Sequence, residues 1–399
     1  MEVFFLNLSY AKRMENIKAS EIRELLKLTQ KPEIISFAGG LPAPESFPVD
    51  EFIKVTKEVL EKEGAKALQY GSTEGHPALR EAIAKRMADS QVATTADNIL
   101  ITSGSQQGLD FAAKIFINPG DIIICESPTY LGAINAFKAY EPKFIEIDTD
   151  KDGMDMDQLE KTLKENDNVK FIYAIPDFQN PSGKTWSISR RRKLVELANE
   201  YNVAIIEDNP YGSLRFEGDF LPAIKHFDTE GRVAFLGTFS KILAPGLRLG
   251  WVDADKAFLE KFILVKQGAD LQSSTISQME VAKFIELYDL DEHIQKIITL
   301  YKGRRDLMLK TMEEEFPKEA TFTYPEGGLF TWVVLPEYMN ARDLAAKALE
   351  QNVAYVPGGS FYPNGGNENT FRLNYSNMDD ERIVEGIKRL GKVLKDAIK

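Results

Sequence analysis

The stretch RVAFLGTFSKILAPGLRLGW, residues 232–251, opens as an apolar run and closes on polar chemistry. From Val233 to Phe239 the β-branched, aromatic and small apolar residues read as a strand covered on both faces. The chain then presents Thr238, Ser240 and Lys241 together, breaks at Pro245-Gly246 and adds Arg248. An amine and hydroxyls at the end of a buried strand need partners, because desolvating them unpaired is costly.

Five more short runs are rich in β-branched or aromatic residues, several of them apolar almost continuously: NILIT (98–102), DIIICE (121–126), KFIEI (143–147), KFIYAI (170–175) and VAIIED (203–208). Helical patterns such as QQGLDFAAKIFI and MDQLEKTLKE lie between many of them. This alternation predicts an α/β fold, a mainly parallel sheet with crossover helices. After Trp251 the pattern is mostly helical to about residue 318. FTWVVL, VAYVP and TFRLNYS then read as strands, and ERIVEGIKRLGKVLKDAI as a terminal helix, together a smaller α+β domain. Before the sheet, SEIRELLKLTQ predicts a short helix capped by Ser20, and 50–64 a helix from Asp50 to Gly64.

The residues just past each run carry the chemistry. NILIT leads into SGSQQG, DIIICE into SPTY, KFIYAI into PDFQNPSG, VAIIE into DNPYG and RVAFLGTF into SK. Ligands of open α/β sheets bind at the carboxyl ends of strands, so these ends can line one site. Ser103 to Gly108 sits between a strand and a helix, where free amides and the helix dipole suit a phosphate or a simple cap. It is no dinucleotide fingerprint, and Ser182-Gly183-Lys184-Thr185 is no Walker loop, since Phe178 stands where glycine is required. Asp208 closes an apolar strand and should meet a cation. Lys241 needs desolvation or a carbonyl partner to act as a nucleophile near neutral pH. Pyridoxal phosphate, held as a Schiff base, satisfies anion cradle, carboxylate and lysine together.

Composition bounds the alternatives. The 399 residues suffice for two domains, with 43% apolar and 28% charged residues. A net charge of −12 argues against nucleic-acid backbones and anionic membranes as partners. Cys125 is the single cysteine, so no intramolecular disulfide forms. The apolar patch in MEVFF is too short for a signal-peptide core, and no segment approaches the roughly 18 apolar residues of a membrane span. The expected setting is cytoplasmic. His76, His226 and His293 are isolated and lack metal-ligand spacing, so no metal is assigned. His76, beside Pro77, reads as a helix start, and ISRRRKLVE (188–196) as a solvated helix face.

SFAGGLP, LQYGSTEGHPALR, SGSQQGLD, ESPTY, PDFQNPSG, EDNPYG, TFSKILAPGLRLGW and FRLNYS occur in that order from Ser36 onward, marks of a resemblance that runs from about residue 20 to the end. With these marks the chain resembles the fold-type I pyridoxal-phosphate enzymes of the class I/II aminotransferases. It is most similar to the 2-aminoadipate, kynurenine and aromatic aminotransferase subgroup. The resemblance implies a seven-stranded-type sheet, with an N-terminal helix and arm (1–48) joining the small domain, a large cofactor domain (49–295) and a small C-terminal domain (296–399). It implies Lys241 as Schiff-base lysine and proton shuttle, and Asp208 against the pyridinium nitrogen. Asn180 and Tyr211 would hydrogen-bond the phenolic oxygen, and Tyr130 would stack on the ring. Ser105, Gln106, Thr238, Ser240 and Arg248 would hold the phosphate, joined by Tyr70 from the second subunit of a homodimer. Arg372 would grip the substrate carboxylate, with Gly40 near it, and Arg23 would read the substrate side chain. Position 238 carries Thr where many relatives have Ser.

The function this implies is transfer of an amino group from an aromatic amino acid, 2-aminoadipate or a broad range of donors to 2-oxoglutarate, with ping-pong kinetics. Two alternatives share the scaffold: a β-elimination lyase, and a non-enzymatic effector domain of a transcription regulator. The acidic chain, with no helix-turn-helix pattern before residue 37, weighs against the last.

Overall fold

The computed structural model describes residues 8–15, 17 and 31–398. Its main sheet has strands β1 (Ile99–Thr102), β2 (Ile122–Ser127), β3 (Lys143–Asp150), β4 (Gly153–Met154), β5 (Val169–Ala174), β6 (Ala204–Asp208), β7 (Val233–Thr238) and β8 (Gly250–Asp253). Their order across the sheet is β1-β8-β7-β6-β5-β2-β3-β4. The run β3-β2-β5-β6-β7 is parallel throughout. The two strands that the apolar runs did not mark are β4, a hairpin edge on β3, and β8, antiparallel to both its neighbours. Among the described residues the sheet therefore counts eight strands and stays mostly parallel.

β8 escaped the sequence reading because it is short and starts on glycine. After a tight turn at Pro245–Leu247, Arg248 adopts a left-handed φ of 53° and sends the chain back along β7. Gly237 lies opposite Trp251, where a Cβ would fall 2.2 Å from the indole ring. Since β8 runs backwards, β1 beyond it again points the same way as β7.

The sheet is apolar on both faces because helices cover both. Ile123, Cys125, Phe171 and Tyr173 join one buried cluster, and Ile124, Ile172 and Ala174 the other. That two-residue alternation within unbroken apolar runs is what a doubly covered strand requires.

A second, four-stranded sheet contains Thr321–Phe322, Phe330–Val334, Thr370–Asn374 and Val356–Pro357 in that order, antiparallel throughout. The terminal helix Asp380–Ala397 buries Ile383, Ile387, Leu390 and Leu394 in the cluster that includes Phe371 and Leu373 from this sheet. Upstream of the main sheet, Ile35–Ser36 pairs in parallel with Val353–Ala354. Position 295/296 falls inside one helix, Leu290–Glu315, whose first turns pack with the main-sheet side and whose Met308 and Met312 pack with the second sheet.

Two local expectations are corrected. The helix expected over 50–64 runs from Val49 to Ala67, and Gly64 does not stop it, although Glu63 just before it has non-helical angles. The basic segment 188–196 is not wholly solvated: Arg191 is fully buried, on the same helix face as Leu194, Val195 and Ala198. His76 does precede a helix, Pro77–Arg86. The Ser20 helix and Arg23 lie outside the described residues. Among the described residues no helix is long and apolar enough to cross a membrane.

Candidate active site

The carboxyl ends of β1, β2, β5, β6 and β7 open on one cavity of about 330 Å³. Lys241 extends from the turn after β7, half-buried, and its Nζ donates to the carbonyl of Gly40 at 2.7 Å. Burial, with the positive charges of Arg372 and Arg248, lowers its pKa to about 8. An amine so shifted is partly neutral near physiological pH, the state a nucleophile needs.

Asp208, 2% exposed, ends β6 on the same cavity. Its Oδ2 accepts a hydrogen bond from the Tyr173 hydroxyl at 2.8 Å, while Oδ1 is buried without a partner among the described residues. Burial pushes its pKa up to about 7 against the hydrogen bond from Tyr173. A cation at Oδ1 would offset that desolvation.

The same cavity also carries an anion cradle. The helix Ser105–Phe116 starts here, after Gly104 at φ 78°, and presents Ser105 and Gln106. Arg248 packs so closely that a Cβ on Gly104 would sit 2.7 Å from its Nη2. Thr238 and Ser240 add hydroxyls bonded to each other at 3.0 Å. Free amides, a helix dipole, a guanidinium and hydroxyls make a seat for a phosphate-sized anion.

The remaining walls carry Tyr130, Tyr211, Asn180 and Arg372. Arg372 is 1% exposed and bonded through Nη1 to Asn180 Oδ1 at 2.7 Å and through Nη2 to the Ala38 carbonyl at 2.6 Å. Its guanidinium lies 4.2 Å from the Phe330 ring centre and 5.1 Å from that of Phe361, and its Nε has no partner among the described residues. Desolvation lowers its pKa to about 10, so it stays charged at neutral pH and suits a carboxylate. Asn180 Nδ2 lies 3.5 Å from the Tyr211 hydroxyl, a long contact. Burial raises the pKa of both Tyr211 and Tyr130, so both phenols stay protonated.

The structure thus brings together Gly40, Ser105, Gln106, Tyr130, Asn180, Asp208, Tyr211, Thr238, Ser240, Lys241, Arg248 and Arg372. Tyr70 is apart from them, 78% exposed, beside Gln272 and Thr275.

The profile of the family described as "Aminotransferase class I and II" matches residues 33–390. The chain belongs to that family. Among curated relatives of this aminotransferase family, Aromatic-amino-acid aminotransferase 1 of Thermococcus litoralis is 50% identical over 98% of this chain and 95% of its own. The 2-aminoadipate transaminase of Thermus thermophilus is 41% identical over 97% of this chain and 96% of its own. A solved structure of Pyrococcus horikoshii kynurenine aminotransferase, in complex with PMP, superposes with a TM-score of 0.94 at 44% identity over 98% of both chains.

Among the side chains that sequence reading missed at this candidate site are Phe330 and Tyr173. Phe330 lies under Arg372 and edge-on to Tyr211, centroids 6.0 Å apart. Tyr173 is visible only through the parallel register that pairs it with Ile206, two residues before Asp208. Tyr173→Phe should leave both Asp208 oxygens without a protein partner. We expect a loss of about 1–3 kcal/mol in the apoprotein, the usual cost of an orphaned buried polar group. The loss should be larger at pH 8, where the carboxylate is ionised, than at pH 5. Denaturant unfolding at the two pH values checks it, and equal losses would contradict it.

Proposed function

We propose that this chain is a pyridoxal-phosphate-dependent aminotransferase that moves an amino group from an aromatic amino acid, 2-aminoadipate or a broad range of donors to 2-oxoglutarate in a ping-pong cycle. One observation carries the reading: a buried carboxylate oxygen without a partner among the described residues and a lysine of lowered pKa meet in one cavity with an anion cradle. The residues present fit the cofactor. Arg248, Thr238, Ser240, Ser105 and Gln106 would hold its phosphate, Asp208 Oδ1 would meet its ring nitrogen, Tyr130 would cover the ring, and Asn180 and Tyr211 would reach its phenolic oxygen.

When bound, the cofactor supplies an electron sink for the carbanion formed at the substrate Cα. The protein supplies the rest. Arg372 fixes the substrate carboxylate with a planar donor pair, Gly40 lies against it, and Lys241 removes and returns the Cα proton. Asp208 keeps the ring nitrogen protonated. The division into an arm (1–48), a large domain (49–295) and a small domain (296–399), an assembly as homodimer, a phosphate contact from Tyr70 of a second copy, side-chain reading by Arg23 and a cytoplasmic setting belong to the same proposal. The exposure of Tyr70 supports its part, since it stands free to serve another copy.

The test is a half-reaction. Holoprotein mixed with donor alone should convert its visible spectrum to that of the amine form of the cofactor and release one equivalent of 2-oxo acid. Adding 2-oxoglutarate should restore the first spectrum. An unchanged spectrum across acidic, aromatic and aliphatic donors would defeat the proposal, and release of pyruvate and ammonia without acceptor would establish β-elimination instead.

A further inference from the structure

The loop that carries Asn180 and the turn that carries Tyr211 are joined by a polar network, buried at Arg191 and Asp177 and half-buried at Asn209. Arg191, on the helix Ile188–Tyr201, spends every guanidinium donor on it. Its Nε reaches the Trp186 carbonyl, Nη1 the Pro222 carbonyl and Asp177 Oδ2, and Nη2 the Pro176 carbonyl and Asp177 Oδ1. Pro176 and Trp186 flank the loop that contains Asn180, so one guanidinium fastens both its ends. Asp177, 4% exposed, receives that fork at 2.7 and 3.1 Å and also accepts from Asn209 Nδ2 at 3.0 Å.

Asn209 sits between Asp208 and the Tyr211 turn. Its Oδ1 accepts from the Gly212 amide at 2.9 Å, and a Cβ at position 212 would fall 2.4 Å from that oxygen. The Leu214 amide then bonds the Tyr211 carbonyl at 2.7 Å. An asparagine that only closed a turn would leave its amide NH₂ to solvent; this one points it at a buried, ion-paired carboxylate. A primary amide is suited to the task, since it can donate to Asp177 and accept from Gly212 at once.

We propose that Asn209 is a positioning residue: anchored on Asp177, which Arg191 locks, it fixes the turn of Tyr211 against Asn180 and so sets how the two hold the cofactor's phenolic oxygen. This deepens the functional reading above and rests on it. A bidentate Arg–Asp pair within a fully bonded network holds geometry better than either loop alone would.

The experiment tracks the pH midpoint of the visible absorbance change of the holoprotein in the wild type, Asn209→Ala, Tyr211→Phe and the double variant. Weakening the contacts to an anionic phenolic oxygen raises the midpoint. Asn209→Ala should raise it by about half a pH unit, the scale of one hydrogen bond impaired. In the Tyr211→Phe background the same change should add nothing, because residues that act through one another are not additive. An unmoved midpoint in Asn209→Ala, or full additivity in the double variant, would overturn the proposal.

A second pair guards against misfolding. Asn209→Asp sets a carboxylate against Asp177 and should also raise the midpoint, and adding Asp177→Asn should return at least half of the shift by reversing donor and acceptor; no recovery counts against the proposal. Hydrogen exchange of the apoprotein reads the tie without cofactor. The Gly212 amide should exchange about 10-fold faster in Asn209→Ala, in keeping with loss of one local bond, while Ile205 in β6 stays unchanged. If Gly212 exchanges as in the wild type, the tie is refuted. If Gly212 responds but borohydride tags no cofactor on Lys241 of the wild type, it is the functional reading that fails, and with it the role assigned to Asn209.

Discussion

Lys241→Ala should abolish turnover, by at least about 10⁴-fold, since on the proposed reading it removes both the amine that would hold the cofactor and the base that would move the Cα proton. The anion cradle is left intact, so cofactor should still bind without a covalent link. Borohydride reduction and then peptide mapping should tag position 241 in the wild type and nothing in the variant. A small primary amine added to the variant should recover part of the proton transfer. A variant that keeps even about one hundredth of wild-type turnover would place the base elsewhere, because a positioned general base alone is worth 10²–10⁴-fold.

The same lysine has a cofactor-free signature. Its pKa is lowered to about 8 in the folded chain, against about 10.4 when unfolded. Between those values the unfolded chain holds a proton that the folded chain has released, so apoprotein stability should rise as pH climbs from 8 to 10. Lys241→Ala should lack that contribution. Denaturant midpoints across the window check it, and an equal rise in the variant would contradict the assignment.

How far each feature could be read from the sequence depends on how it is encoded. Five of the six runs announce strands because a doubly covered strand must be apolar nearly along its whole length, while KFIEI, which carries Lys143 and Glu146, is only partly buried. All six strands point the same way, and the polar ends of five of them line one cavity, each bringing its own residues: Ser105, Tyr130, Asn180, Asp208 and Lys241. β8 was not readable, since four residues starting on glycine carry little local preference and owe their strand to β1 and β7 on either side. Tyr173 and Asp177 belong to a different class. Their importance is a matter of register and long-range contact, and no local pattern marks either. Arg191 was legible in principle: it lies three and four residues before Leu194 and Val195, and the flanking Arg190 and Arg192 concealed that spacing. Tyr70 is bound to no part of this chain's cavity, so neither sequence periodicity nor one folded copy gives it a role; only the family resemblance does.

Asp208→Asn should lower turnover by about 10²–10³-fold, the usual effect of deleting one preorganised charge from a buried reaction centre. An amide at 208 can accept at one atom but cannot hold a proton on a ring nitrogen by charge, so the electron sink weakens while Lys241 and the phosphate seat persist. The donor-alone half-reaction should slow by the same factor, since the deficit lies in Cα–H cleavage and not in acceptor binding. Asp208→Glu keeps the charge and should retain more activity than the amide. In the apoprotein the sign is opposite to that of the lysine. The folded carboxyl titrates at about 7 and the unfolded one at about 3.9, so the folded chain binds the extra proton between them and stability should fall as pH rises from 4 to 7. Asp208→Asn removes that fall. Above pH 7 the variant apoprotein should therefore be the more stable of the two, and yet the poorer catalyst. A single residue whose removal stabilises the fold and cripples the reaction is one held in place for the cation it will meet. If the variant apoprotein were instead less stable at pH 8, the Oδ1 of Asp208 would have found its partner within the chain, and the case for a ring nitrogen opposite it would lapse.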